Sequence, residues 1–112
     1  MAKYERRLRG SFTEALHTCE SAIMKGSLSA SYEDGSDYIL GDTRVAVRVY
    51  ERYSWLGKNR VSLSLTLAGH GDNLFLSAIT AGGSGAVFFK VNTFGEESFL
   101  DTLATELDRR YP

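Results

Sequence analysis

In VSLSLTL, Val61 to Leu67, every second residue is apolar and each residue between is a small hydroxyl. Alternation at period two is the pattern of a strand with one face on a core and the other toward solvent; a helix would scatter Val61, Leu63, Leu65 and Leu67 around its axis. The stretch therefore places a one-sided antiparallel sheet at the centre of the fold. Downstream, GHGDN at 69–73 turns the chain into a second apolar run, LFLSAIT at 74–80. AGGSG at 81–85 turns it again, toward AVFFKV at 86–91, and each run reads as a strand.

Upstream, Val45, Val47 and Val49 alternate with Arg44, Arg48 and Arg52. The spacing predicts a half-buried strand with the valines inward and the arginines, joined by Tyr50, outward. Gly41-Asp42 supplies the preceding turn. Before it, Asp34-Gly35 within EDGS is predicted to be a hairpin turn between a strand carrying Leu28, Ala30 and Tyr32 and a short strand DYIL, residues 37–40. At the start of the chain Tyr4, Arg6 and Leu8 share one face of an edge strand.

Two segments have helical period instead. Ser11 with Glu14 three residues on forms a capping box, followed by an apolar stripe of Phe12, Ala15, Leu16, Cys19, Ala22 and Ile23, with Gly26 as a left-handed terminator. Thr93 with Glu96 repeats the capping pattern before Phe99, Leu100, Leu103, Ala104 and Leu107, with Arg109 and Arg110 in the last turn where the helix dipole favours cations. These amphipathic helices are the segments able to cover the sheet. The expected fold is a single α+β domain over residues 1–112, of order β-α-β(5–6)-α, with a curved antiparallel sheet on two helices.

That order resembles the helix-grip architecture of the START and birch-pollen-allergen type, and the TATA-binding-protein-like arrangement. The wording SAITAGGSGAVFFKVNTFGEESFLDTL, residues 77–103, also resembles a family of short uncharacterised bacterial proteins, a domain of unknown function. The resemblance implies a small bacterial cytoplasmic protein and brings no activity or functional residues with it.

Composition narrows the function classes. The 112 residues carry 13 basic and 14 acidic side chains and a net charge of −1, so there is no global attraction to polyanions. One cysteine excludes an internal disulfide and fits a reducing cytoplasm; with two histidines it makes no recognisable metal site. No apolar run approaches the roughly 20 residues of a membrane span.

Individual sites have bland readings beside their sharp ones. Gly82, Gly83 and Gly85 read as a flexible turn, since no helix N-terminus or Gly-Lys-Ser/Thr ending follows to make a phosphate loop. His70 and Asp72 share a turn that lacks a nucleophile. Cys19 lies on a helix stripe, where a thiol packs as a small hydrophobe. Arg44, Arg48, Tyr50 and Arg52 form the best local basic patch, able to contact phosphate and stack a base, although Asp37 or Glu33 could pair with these arginines. Tyr53, Trp55 and Leu56 crowd the loop before Asn59 and are a candidate contact site for a partner or second subunit. No residue is assigned a catalytic or metal-binding role and no cofactor is expected. The reading is a non-catalytic binding or protein-interaction domain, possible as a homodimer. The alternatives are a carrier of a small apolar ligand, or an enzyme, with a cavity between sheet and C-terminal helix, and a weak anion or nucleic-acid binder through Arg44, Arg48 and Arg52.

Overall fold

The computed structural model describes residues 1–27, 29–54, 59–82 and 89–112, and the side chains of all of these except 54, 59 and 89–98. In chain order they form β1 (Ala2–Arg9), α1 (Phe12–Lys25), β2 (Ser31–Leu40), β3 (Thr43–Ser54), β4 (Asn59–His70), β5 (Asn73–Gly82) and α2 (Phe89–Arg110). The strands make one antiparallel sheet in the order β1-β5-β4-β3-β2, so the fold is α+β with β4 at the centre.

The period-two stretch does what its pattern demands. Val61, Leu63, Leu65 and Leu67 are fully buried, and with Leu74, Leu76 and Ala78 of β5 they form a single cluster closed by both helices. From α1 come Phe12, Ala15, Leu16, Cys19 and Ile23, and from α2 Phe99, Leu100, Leu103 and Leu107. Each buried leucine in such a cluster contributes about 1.5–3 kcal/mol relative to exposure. Ser11 caps α1 by accepting from the Glu14 amide at 3.2 Å. β1 is the predicted edge strand, and Tyr4 and Arg6 both donate to the Asp108 carboxylate at 2.8 Å, with Arg6 also donating to the Tyr111 carbonyl at 2.6 Å. The first strand thereby holds the end of the last helix.

Four expectations are corrected. Asp34-Gly35 is not a turn: it lies inside β2, next to a bulge between Tyr32 and Asp34, so residues 31–40 are one strand and the described residues form a five-stranded sheet. Glycine is needed there for close approach, because a Cβ at Gly35 would sit 2.6 Å from the Tyr32 hydroxyl and 2.8 Å from the Val47 carbonyl oxygen. The expected strand AVFFKV fails at its end, where Phe89 to Val91 open α2; residues 86–88 lie outside the described residues. An apolar run of that length without alternation cannot distinguish the two by period. α2 thus begins before Thr93, and its first turn holds no acidic residue.

Gly26 ends α1 in right-handed geometry, φ −76°, with no left-handed residue. Its small size matters against α2, since a Cβ would lie 2.6 Å from Thr102 Cβ. The fourth correction concerns which side of β3 faces the helices. Register pairs Ala46 with Leu67, Arg48 with Leu65 and Tyr50 with Leu63, and partners across a sheet share a face. The arginine side is therefore the covered side, with Ala46 and Tyr50 buried, and the valines lie on the opposite face.

Candidate functional site

The helix-facing arginines are built into the fold. Arg48 is 13% exposed and donates to Glu20 at 3.3 Å, to both Asp37 oxygens at 3.0 and 3.2 Å, and to the Ser36 and Val47 carbonyls. Burial alone would lower its pKa, but hydrogen bonding to Asp37 and the charges of Asp37 and Glu20 outweigh this and raise it. The pairing with Asp37 foreseen from sequence is present; Glu33 instead lies 3.8 Å from Arg60. Arg44 stacks on the Phe12 ring at 4.2 Å and Arg52 on the Phe99 ring at 4.7 Å, and burial lowers the Arg52 pKa. Tyr50 packs edge-on against Tyr32 and donates to Glu20 at 3.4 Å. Chemically, this group fastens α1 and α2 to the sheet.

Of the other predicted positions, Tyr53 lies on β3 opposite Arg60 and is exposed. Gly82 ends β5 across from Val61. Trp55, Leu56, Gly83 and Gly85 lie outside the described residues. Asp72 pairs with Arg9 at 3.2 Å, while His70 meets the Thr43 hydroxyl at 3.4 Å, so the two do not form an acid–base pair.

Cys19 is fully buried, and burial followed by the charge of Glu20 pushes its pKa up to about 12. Near neutral pH only roughly one thiol in ten thousand or fewer is ionised, and the thiolate is the reactive form. Ellman's reagent should therefore leave Cys19 untouched in the folded protein over a period in which the guanidinium-unfolded chain reacts fully. A fast native reaction would contradict the burial.

The feature the sequence reading missed is the other side of the sheet, which no described element covers. Its residues fall in level rows set by the strand register. One runs Lys3, Ile79, Ser64, Val49, Asp34; the next Glu5, Ser77, Thr66, Val47, Ser36; the third Arg7, Phe75, Ala68, Val45, Tyr38. A further row ends in Leu40, beyond Arg9, His70 and Thr43. Tyr38, Leu40 and Phe75 are 62%, 64% and 41% exposed, and Ile79 is exposed as well. Contiguous apolar area of this kind on one face marks a contact site.

The face also has relief and polarity. A hollow of about 500 Å³ opens at the hairpin end, lined by Arg7, Ala68, His70 and Phe75 among others. This face of β1 carries Lys3, Arg7 and Arg9 with Glu5 among them, 3.9 Å from Lys3, a net positive edge, while Asp34 stands at the β2 side. A second hollow, about 840 Å³, lies in the seam between α1 and α2 beside His17, Lys25, Asp101 and Arg110. Its lining mixes both charges, and its buried polar member, Thr18, donates its hydroxyl to the Glu14 carbonyl at 2.9 Å. Among the described residues no three of His, Cys, Asp and Glu converge on a possible metal position, and no helix is long and apolar enough to cross a membrane.

The sequence profile of DUF6054, a family of unknown function, matches residues 1–111. The chain belongs to that family. Comparison with curated proteins and with solved structures gives no match. DUF6054 membership thus covers nearly the whole chain and confirms the expected kinship with a family of unknown function, while assigning neither an activity nor site residues.

Proposed function

We propose that the chain is a small, non-catalytic protein-interaction domain whose working surface is the uncovered face of the sheet. The observation that carries the reading is the row structure of that face: Phe75, Ala68, Val45 and Tyr38 run apolar across β5, β4, β3 and β2, flanked by Val47, Val49 and Leu40, with Ile79 set apart by Ser77 and Ser64. At roughly 25 cal/mol per Å², leaving such a band in water forgoes several kcal/mol that a partner recovers by covering it. A reducing cytoplasm suits the single thiol.

Hydroxyl-radical footprinting in the expressing cell tests this. Tyr38 and Phe75 should be protected relative to the same residues in the isolated, diluted protein. Tyr32, exposed on the helix side of the same edge strand, serves as the internal control and should react alike in both. If Tyr38 and Phe75 react in the cell at the dilute-protein rate, the face is not a contact surface and the reading fails.

A further inference from the structure

The same face is complementary to itself. Consider a two-fold axis lying in the plane of contact, parallel to β4. It places β4 on its own copy, β5 on the second copy's β3, and β1 on the second copy's β2, with every residue at its own level along the strands. Because the sheet order is β1-β5-β4-β3-β2, this is the symmetry that brings opposite edges together.

The Lys3 row and the Arg7 row then find matches. Lys3 comes over the second copy's Asp34, and Arg7 over the second copy's Tyr38. Arg7 makes no ion pair among the described residues, so its guanidinium is available to stack on that ring. Phe75 and Ile79 come over the second copy's Val45 and Val49. On the axis stand the small Ser62, Ser64, Thr66 and Ala68, which allow the larger flanking side chains to close, with Arg60, held by Glu51 at 2.7 Å, and His70 at the two ends of the strand. The second copy's exposed Tyr38 and Leu40 arrive above the hollow beside Arg7 and Phe75. A two-fold perpendicular to the strands would instead lay β1 on the second copy's β1, bringing Lys3, Arg7 and Arg9 among the same cations, where like charges repel.

We propose that the uncovered face is closed by a second copy of this chain, sheet on sheet, about a two-fold axis parallel to β4. The proposal rests on the interaction reading above and names the partner. The area suffices: five strands of about ten residues present a footprint of roughly 800 Å², close to the ~800 Å² per partner of a standard stable interface. Long Lys and Arg side chains accommodate the rotation of about 30° usual between packed sheets.

Sedimentation velocity of the purified protein should show a dimer. Leu40→Lys, at a position already exposed in the single copy and level with the second copy's Arg9, should weaken it about 30-fold or more. Lys3→Glu should weaken it by about threefold at low salt, and adding Asp34→Lys should restore what Lys3→Glu lost. A third measurement does not depend on affinity. In Ser62→Cys, Ser64→Cys and Thr66→Cys variants, with Cys19 buried and inert, a short bis-maleimide should link each position to its own copy. The perpendicular axis would link at most one of the three.

A strict monomer, a dimer indifferent to Leu40→Lys, or no crosslink at any of the three positions would overturn the second-copy proposal. A strict monomer whose Tyr38 and Phe75 are nonetheless protected in the cell would overturn it while sparing the interaction reading. A monomer with both residues unprotected would remove both.

Discussion

Tyr50→Ala is expected to lower the unfolding free energy by about 3–5 kcal/mol, whereas Val49→Ala, the adjacent residue on the same strand, costs about 1 kcal/mol. The contrast follows from the register that places Tyr50 opposite Leu63 on the covered face and leaves Val49 opposite Ser64 on the other. Removing the ring opens a cavity between Tyr32, α1 and the leucines of β4, and strips Glu20 of the phenolic donor. Urea unfolding of both variants at one protein concentration measures the difference, and equal or reversed costs would return the valines to the core.

The same residue predicts an alkaline limit. Burial first, and then the negative charge of Glu20, raise the Tyr50 pKa well above the ordinary tyrosine value of 10.0. With the folded pKa raised, the neutral phenol favours the folded state. Its contribution is full below about pH 10 and is lost as pH rises from there through the folded pKa, because the unfolded chain ionises first. Tyr50→Phe should flatten this alkaline decline. A decline unchanged by Tyr50→Phe would place its origin in other tyrosines.

Arg48→Ala is expected to cost about 1–3 kcal/mol, since Glu20, Asp37 and the Ser36 and Val47 carbonyls all lose a donor. The cost stays in that range because Asp37 and Glu20 remain partly open to water. Arg48→Met should recover part of it through the apolar stem. Arg48→Lys should recover less than the retained charge implies, as an ammonium cannot serve Glu20 and Asp37 with one planar fork. A neutral Arg48→Ala would show that the cluster holds nothing together.

These predictions touch the place where sequence reading and structure part. Val61 to Leu67 was legible because its two faces differ sharply: leucine against serine leaves one choice. β3 offers valine on one face and Arg-Ala-Arg-Tyr-Arg on the other, and hydrophobicity alone favours valine inward. What decides against it is long-range: register with β4 sets the face, and the arginines tolerate it by stacking on Phe12 and Phe99 or by pairing with Glu20 and Asp37. The Asp34-Gly35 misreading has a similar cause, since a glycine needed for approach to Tyr32 looks the same in sequence as one needed for a turn.

The open face left a signal of its own. In LFLSAIT both alternating sets contain large apolar residues, Leu74 and Leu76 on one side, Phe75 and Ile79 on the other. A strand of that kind is written for burial on both faces. With helices enough for one face, the second set asks for cover from elsewhere.

The pairing of β1 with β5 has a consequence for synthesis. Ala2 to Arg9 find their partners only at Asn73 to Thr80, so the first strand made must wait for the last. At 5–20 residues per second the delay is roughly 4–15 seconds, during which β2, β3 and β4 can form hairpins in turn as each leaves the ribosome. The sheet grows toward its N-terminal strand from the far edge, and β1, arriving to pair with β5 and grip the end of α2, completes the fold in one late step.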